Sequence, residues 1–151
     1  MAGMSERPRG YAHRVDIAAE VADVWRGLTE PEHLVRWCAP DARLSQRKGG
    51  LFHASVDRTR ELQASIDVFE PARRLRLIHL PVADLPPNDA AIIDDFMLTP
   101  SREGTLLRLL GSGFPQDAGW TTYYQRLQLG WRGAVARLKV LVEKQLRRPG
   151  P

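Results

Sequence analysis

Two residues in the middle of the chain, His79 and Asp94, have the side chains best suited to acid–base chemistry or to orienting a ligand. Both stand in alternating runs, and alternation places them on the same sheet face as apolar neighbours. These neighbours are Leu75, Leu77, Ile92, Phe96 and Leu98. An unpaired buried carboxylate is costly, so a register that brings the two residues together would make them a polar pair. Such a pair could orient a ligand or transfer protons.

A structural interpretation of the same two residues competes with this one. Asp94 stands near the start of its strand and could reach water, while His79 could be a satisfied core or rim histidine. Isolated polar residues in sheets are more often structural than catalytic. The pattern alone therefore favours the structural interpretation, and the functional pair remains the alternative.

Other groups that often carry chemistry lack the required context. Cys38, the single cysteine, has no base near it in sequence, and a nucleophile needs one. The histidines show no metal-ligand spacing such as HExxH; they are His13, His33, His53 and His79. Phosphate-binding glycine loops and GxSxG elbows are also missing. We therefore expect neither a metal nor a cofactor.

The charge pattern narrows the class of partner. The net charge is +4, but the arginines are scattered and acidic residues lie among them, unlike the basic stripe of a nucleic-acid-binding face. No apolar run reaches the roughly 18 residues of a membrane span. The first ten residues lack the apolar region of a secretory signal. A cytoplasmic protein that binds neither nucleic acid nor membrane is expected.

The elements that would position His79 and Asp94 follow in a clear order. Alternation predicts a strand at Tyr11–Ile17, and helical spacing predicts a helix at Val21–Leu28. Thr29-Glu-Pro-Glu reads as a capping box that starts a second short helix. Further strands are predicted near 50–56, 62–68, 74–80, 92–98 and 105–111, with a loop at 111–119. A long amphipathic helix then runs from Trp120 to about Leu146.

This order predicts one α+β domain over residues 11–146, with a flexible tail at 1–10 and a short one at 147–151. An antiparallel sheet of about six strands needs a cover for one face, and only the long helix is large enough. Gly130 and Gly133 interrupt that helix and are expected to mark close packing or a slight bend.

Five segments in the same order resemble a known family. They are AAEVADVWRGLTEPEHLVRW (18–37), GGLF (49–52), IDVFEPARRLRL (66–77), EGTLLRLLGSGFP (103–115) and GW followed by the long helix (119–146). The chain resembles the SRPBCC (START/Bet v 1-like) superfamily, in the branch related to the C-terminal domain of the activator of Hsp90 ATPase. The resemblance implies a helix-grip fold, in which a curved sheet grips the C-terminal helix.

The resemblance also implies a cavity between sheet and helix that binds a small apolar or amphipathic molecule. Tyr124 is expected to present its hydroxyl to that ligand, and His79 departs from the tryptophan more common in the family. The side chains expected at the cavity are Trp37, Phe52, Leu77, His79, Asp94, Phe96, Leu109, Trp120, Tyr124, Leu127 and Trp131. For about half of the aromatic residues, plain core packing is the alternative.

Two other functions stay open at this stage. One is an enzyme of cyclase or hydrolase-like type that uses His79 and Asp94. The other is a protein-interaction module related to the Hsp90 co-chaperone. The full co-chaperone has a further N-terminal domain with no counterpart in this sequence, which makes Hsp90 activation the less expected role.

The outward face of the later strands suggests a partner. Alternation places six apolar side chains there: Ile78, Leu80, Ile93, Met97, Leu106 and Leu110. A contiguous exposed apolar patch usually marks an interface, so a homodimer through this face is expected. Charged residues interrupt the patch, and a covering loop or a shifted register would account for the pattern equally well.

Overall fold

The computed structural model describes residues 7–57, 60–82 and 84–148, and all structural statements refer to these residues. The strands are β1 (Arg9–Ile17), β2 (Asp41–Leu44), β3 (Leu51–Asp57), β4 (Arg60–Glu70), β5 (Arg74–His79), β6 (Ile93–Ser101) and β7 (Gly104–Phe114). The helices are α1 (Val21–Thr29), α2 (Pro31–Trp37) and α3 (Thr121–Leu141). A 3₁₀ turn at Ala118–Trp120 precedes α3, and a π-helical turn at Val142–Leu146 extends it.

The strands form one antiparallel sheet in the order β1-β7-β6-β5-β4-β3-β2. Helix α3 packs its buried residues, which include Trp131, Val135 and Leu138, into the single core cluster on the inner face of this sheet. The predicted α+β helix-grip architecture, with two short helices after the first strand, is confirmed. Most of the core lies between the sheet and α3.

The alternation predicted for the central strands is also confirmed. Leu75 and Leu77 on β5 are buried, as are Asp94 and Phe96 on β6. The β5–β6 register pairs Leu75 with Phe96 and Leu77 with Asp94. All four side chains therefore lie on the inner face, because paired positions in an antiparallel sheet share a face.

Several predicted boundaries differ from the structure. The strand β2 was not predicted: it has only four residues, although Ala42 and Leu44 alternate as buried positions. Strand β7 continues to Phe114, into the segment predicted as loop. Strand β1 begins at Arg9, inside the predicted tail, because the Arg9 side chain is held by the Pro115 carbonyl (Nε···O 3.0 Å) and by Thr121 (Nη1···Oγ1 3.0 Å). Residues 1–6 and 149–151 of the predicted tails lie outside the described residues.

The start of α2 differs in its chemistry. Pro31 occupies the first turn as predicted, but Glu30 is the N-cap and makes no side-chain cap. Thr29 instead ends α1 and donates its hydroxyl to the Trp25 carbonyl (2.8 Å). The predicted capping box is therefore wrong, because the Thr29 hydroxyl already has a partner within the preceding helix.

The two helix glycines differ in how closely they are packed. Helix α3 continues without interruption past both of them. A Cβ atom added at Gly130 would meet nothing within 4 Å, whereas one at Gly133 would lie 3.2 Å from Arg137 Nη1. The expectation of close packing is wrong at Gly130, which faces open space.

Candidate ligand-binding site

His79 and Asp94 meet on the inner face of the sheet. His79 Nε2 lies 2.6 Å from Asp94 Oδ2, and the backbone N–H of His79 donates to the Ile92 carbonyl (2.9 Å), which aligns the ends of β5 and β6. The exposed fraction of Asp94 is 0%. The expectation that Asp94 reaches water is therefore wrong, because α3 and the neighbouring strands cover it completely.

Two more donors complete the hydrogen bonding of the Asp94 carboxylate. The Tyr11 hydroxyl donates to Oδ1, and Trp131 Nε1 donates to Oδ2 at 3.1 Å. Burial and the nearby Asp94 charge raise the pKa of Tyr11, which keeps its proton available for this bond. Three donors on one carboxylate offset much of the free-energy cost of burying it.

Glycine on β7 makes the bond from Tyr11 possible. Gly111 is paired with Tyr11 on one side and with Asp94 on the other, and a Cβ atom at Gly111 would lie 2.3 Å from the Tyr11 ring. The ring crosses β7 through this gap to reach β6, and a strand glycine often marks such a close approach. The sequence predicted a strand from Tyr11, but it gave no indication of this role.

The second ring nitrogen of His79 faces helix α3. Nδ1 lies 3.2 Å from the hydroxyl of Tyr123, and the His79 side chain is 2% exposed. Burial, followed by the Asp94 charge, raises the pKa of Tyr123. Asp94, His79 and Tyr123 therefore form a continuous hydrogen-bonded chain that ends at the Tyr123 phenol.

A cavity of about 490 Å³ lies next to this chain, between strands β3–β4 and helix α3. We call it the main cavity. Its walls are mostly apolar and include many small side chains. The lining residues are Cys38, Ala39, Ala54, Val56, Glu61, Leu62, Tyr123, Arg126, Leu127, Leu129, Gly130, Trp131, Ala134 and Arg137.

A second cavity, of about 290 Å³, lies between the β5–β6 connection and the start of α3. Its walls include His79, Trp120 and Tyr123, together with aliphatic and proline residues of segment 78–92. The indole N–H of Trp120 is buried and has no hydrogen-bond partner among the described residues. A donor left in this state costs about 1–3 kcal/mol.

The residues expected at the cavity divide into three groups. Leu127 and Trp131 line the main cavity, and His79 and Trp120 line the second. The others, apart from Tyr124, lie in the closed core and line neither: Trp37, Phe52, Leu77, Asp94, Phe96 and Leu109. The rings of Trp37, Phe52 and Phe96 surround Trp131, with centroids 6.4, 6.3 and 5.3 Å from it.

Tyr124 lies elsewhere than expected. Its hydroxyl donates to the Gly10 carbonyl (2.7 Å), and the Arg9 guanidinium stands 4.9 Å from its ring centroid. This side chain fastens the start of β1 to α3 and lines neither cavity. The preceding residue, Tyr123, holds the place expected for Tyr124; a shift of one position along a helix turns a side chain by about 100°, which spacing alone did not resolve.

Charged groups surround the apolar walls of the main cavity. Arg126 and Arg137 both line it and are exposed, and Arg137 Nε donates to the Trp37 carbonyl (2.9 Å). Glu61 also lines it, and hydrogen bonds from Gln63 (2.6 Å) and His53 (2.9 Å) lower the pKa of its carboxyl group. The Cys38 thiol lies in the same wall, where burial raises its pKa to about 12.

One cluster of possible metal ligands was not noticed in the sequence. Glu30, Glu32 and His33 bring their ligand atoms within 4.8 Å of one another. Glu30 is already paired with Arg26 (3.3 Å), and Glu32 is exposed. The cluster is therefore accounted for by ordinary surface ion pairs.

The outward sheet face is less apolar than the sequence suggested. Leu106 is only 8% exposed, so its place in the predicted dimer patch is wrong: the chain itself covers it. Leu110 is 41% exposed, and Ile78, Leu80, Ile93 and Met97 are half-buried. Arg74 pairs with Asp95 (2.7 Å) on the same strands, which adds charge to this face.

A seven-stranded antiparallel sheet packed over a long C-terminal helix, with two short helices after the first strand, defines a helix-grip protein of the SRPBCC type. The model of one family, "Activator of Hsp90 ATPase homolog 1-like protein", matches residues 18–143. The chain belongs to this family. The comparison with curated proteins finds no match.

Solved structures agree with this assignment. Protein MLL2253 from Mesorhizobium loti is 25% identical, with a TM-score of 0.78 over 91% of this chain and 98% of that one. An Aha1 dimer from Colwellia psychrerythraea has 16% identity and a TM-score of 0.75 over 90% and 97%. CalU16 from Micromonospora echinospora has 22% identity and a TM-score of 0.70 over 91% and 78%. The last two likenesses show the fold alone.

In the described part of the chain, no helix combines the length and apolar character needed to cross a membrane. The cytoplasmic location expected from the composition stays a prediction.

Proposed function

We propose that the protein binds an anionic, amphipathic small molecule in the main cavity. The observation that carries this proposal is an apolar cavity of about 490 Å³ with two arginines, Arg126 and Arg137, in its wall. The apolar part of the ligand would contact Leu62, Leu127 and Trp131. Its anionic group would bind one of the two guanidinium groups, which belong to residues about 16 Å apart along α3.

The energetic roles of the two parts differ. Burial of the ligand's apolar surface contributes most of the affinity, at about 25 cal/mol per Å² removed from water. The arginines select for charge, because a planar guanidinium matches a carboxylate or sulfonate and stays protonated. Glu61, which hydrogen bonds from Gln63 and His53 keep ionised, would repel an anion at its own end of the cavity, so the anionic group should bind beside an arginine and away from Glu61.

A matched pair of fluorescent probes tests both roles. The anionic probe 8-anilinonaphthalene-1-sulfonate and its uncharged analogue N-phenyl-1-naphthylamine share one apolar framework. Replacing Arg126 and Arg137 by alanine should weaken binding of the sulfonate about fivefold or more, since an exposed charge pair contributes up to about 1 kcal/mol. Binding of the uncharged probe should hardly change.

The control is Arg132→Ala, which removes an exposed arginine of the same helix that does not line the cavity. It should leave binding of both probes unchanged. Equal loss of both probes in the double variant would contradict charge selection. Failure of the unmodified protein to bind either probe would contradict the proposed function itself.

A second candidate function is acid–base chemistry on the bound molecule. The observation that favours it is the Asp94–His79–Tyr123 chain, whose phenol end lies in the walls of both cavities. NMR titration of the His79 ring, with and without 8-anilinonaphthalene-1-sulfonate, tests it. An acid–base role requires the probe to change the titration, whereas an unchanged titration in the bound protein would mark the chain as structural.

Family membership supports a third candidate, an interaction module related to Hsp90 activation. A pull-down with Hsp90, set beside a native mass spectrum of the purified protein, separates it from ligand binding. Retained Hsp90 with no bound small molecule would favour the interaction module. A co-purified amphiphile without retained Hsp90 would favour the main cavity.

The homodimer also stays a proposal, now carried by Leu110 and its half-buried neighbours rather than by Leu106. Light scattering at micromolar concentration should give twice the chain mass, and Leu110→Lys should halve it by placing a charge in the patch. A monomer before substitution would contradict the dimer.

A further inference from the structure

We infer that Tyr123 is the partition between the two cavities and thereby sets the length of ligand that the protein accepts. This inference rests on the proposed function, binding of an anionic amphiphile in the main cavity. It identifies Tyr123 as a residue that determines specificity, and the length of the ligand as the property for which Tyr123 selects.

The position of Tyr123 is the first argument. Among the described residues that line the two cavities, Tyr123 is common to both. On the side of the main cavity its neighbours in the wall are Leu62 and Leu127, and on the other side they are His79 and Trp120. The strand register agrees: Ala64 on β4 pairs with His79, and Leu62 is the next inward residue along β4. One aromatic side chain therefore stands in the walls of both spaces, one of about 490 Å³ and the other of about 290 Å³.

The way Tyr123 is held is the second argument. Its hydroxyl lies 3.2 Å from His79 Nδ1, and Asp94 fixes the other side of that imidazole at 2.6 Å. Its ring packs against Trp120 and Phe114, with centroids 5.7 and 6.3 Å away. A ring fixed at its tip and along its faces is a firm wall, because its rotamers are restricted by neighbours that are themselves buried.

The consequence for a ligand follows from the positions of the lining residues along α3. An amphiphile whose anionic group binds Arg137, which follows Tyr123 by about 21 Å of helix, would extend its apolar end past Trp131 and Leu127 toward Tyr123. Chain atoms beyond the capacity of the main cavity would meet the Tyr123 ring and stay in water. If the ring is removed, they could enter the second cavity, whose walls include aliphatic residues such as Leu80, Leu85 and Ile92.

Competition against 8-anilinonaphthalene-1-sulfonate with octanoate, laurate and palmitate tests this inference. Tyr123→Ala should raise the affinity for palmitate relative to laurate at least about tenfold, since each methylene newly removed from water contributes roughly fourfold. Tyr123→Phe keeps the ring and should keep the unmodified preference. If Tyr123→Ala does not fold, Tyr123→Leu also removes the ring while keeping apolar packing, and it carries the same expectation.

Leu127→Ala is the control for added space alone, because Leu127 lines the main cavity and not the second one. Because the ligand contacts Leu127 in the main cavity, this variant should bind both acids more weakly, while the palmitate-to-laurate preference should stay within about threefold of that of the unmodified protein. An unchanged preference in a folded Tyr123→Ala or Tyr123→Leu variant would overturn the partition, and so would an equal shift in Leu127→Ala. If the unmodified protein binds neither the probe nor any of the acids, the proposed function fails and the partition fails with it.

Discussion

The two ends of the interface between α3 and the sheet are built from different residue types, and only one end is filled. Beneath β1, β6 and β7, large rings and the buried carboxylate of Asp94 occupy the space; the rings include Tyr11 and Phe114. Over β3 and β4, the helix and sheet present small residues such as Ala54, Gly130 and Ala134, and a cavity remains. The main cavity therefore lies where several small side chains face one another between α3 and the sheet.

The filled end should dominate stability. Asp94→Ala would leave the Tyr11 hydroxyl, the His79 ring and the Trp131 indole without their shared acceptor, and should lower the free energy of unfolding by about 3–5 kcal/mol. Val56→Ala, at the open end, removes a half-exposed side chain and should cost less than about 1 kcal/mol. Urea unfolding measures both. Similar losses from the two substitutions would remove the distinction between the ends.

The reactivity of the Cys38 thiol tests whether the wall of the main cavity is apolar. Since burial raises its pKa from 9.0 to about 12, the reactive thiolate should be on the order of a thousand times rarer at pH 8 than in an ordinary cysteine. Its modification by 5,5′-dithiobis(2-nitrobenzoate) should be correspondingly slow and should accelerate about tenfold per pH unit up to about pH 11. Reaction at pH 8 as fast as that of free cysteine would contradict the apolar character of the cavity wall.

A smaller effect is expected at Gly130. Because a Cβ atom there would meet nothing within 4 Å, Gly130→Ala should gain helix propensity without a clash and stabilise the protein by about 1 kcal/mol. Gly111→Ala is the contrasting change at the filled end, where the added methyl group would overlap the Tyr11 ring. It should destabilise the protein, and thermal melts of the two variants should shift in opposite directions.

Much of the fold could be predicted, because period-two and helical spacing persist over long segments such as Tyr11–Ile17 and the last helix. Strand β2 could not, since four residues carry too little periodicity. The pairing of His79 with Asp94 was available as a hypothesis from inward alternation alone. The hydrogen bond from Tyr11 to Asp94 depends on the close approach across Gly111. The contact of His79 with Tyr123, and not with Tyr124, depends on how α3 is rotated about its axis. Local residue spacing predicts neither contact.

The main cavity was the least predictable feature. The family resemblance implied that Trp37, Phe52 and Phe96 line the cavity, and the sequence does not distinguish large apolar residues that fill a space from those that line it. The structure places them in the closed core around Trp131. The residues that create the cavity are small, and a small residue such as Gly130 gives no signal in a hydrophobic pattern.

The central claim, that the main cavity binds an anionic amphiphile, is tested most directly by filling it from Gly130. The experiment titrates 8-anilinonaphthalene-1-sulfonate into two variants. Gly130→Phe places a ring in the main cavity, whereas the control Ala136→Phe places the same ring on the exposed outer side of the same helix. We predict at least tenfold weaker binding to Gly130→Phe, with unfolding free energy maintained, and unchanged binding to Ala136→Phe. Binding to a folded Gly130→Phe as tight as to the unmodified protein would contradict the claim.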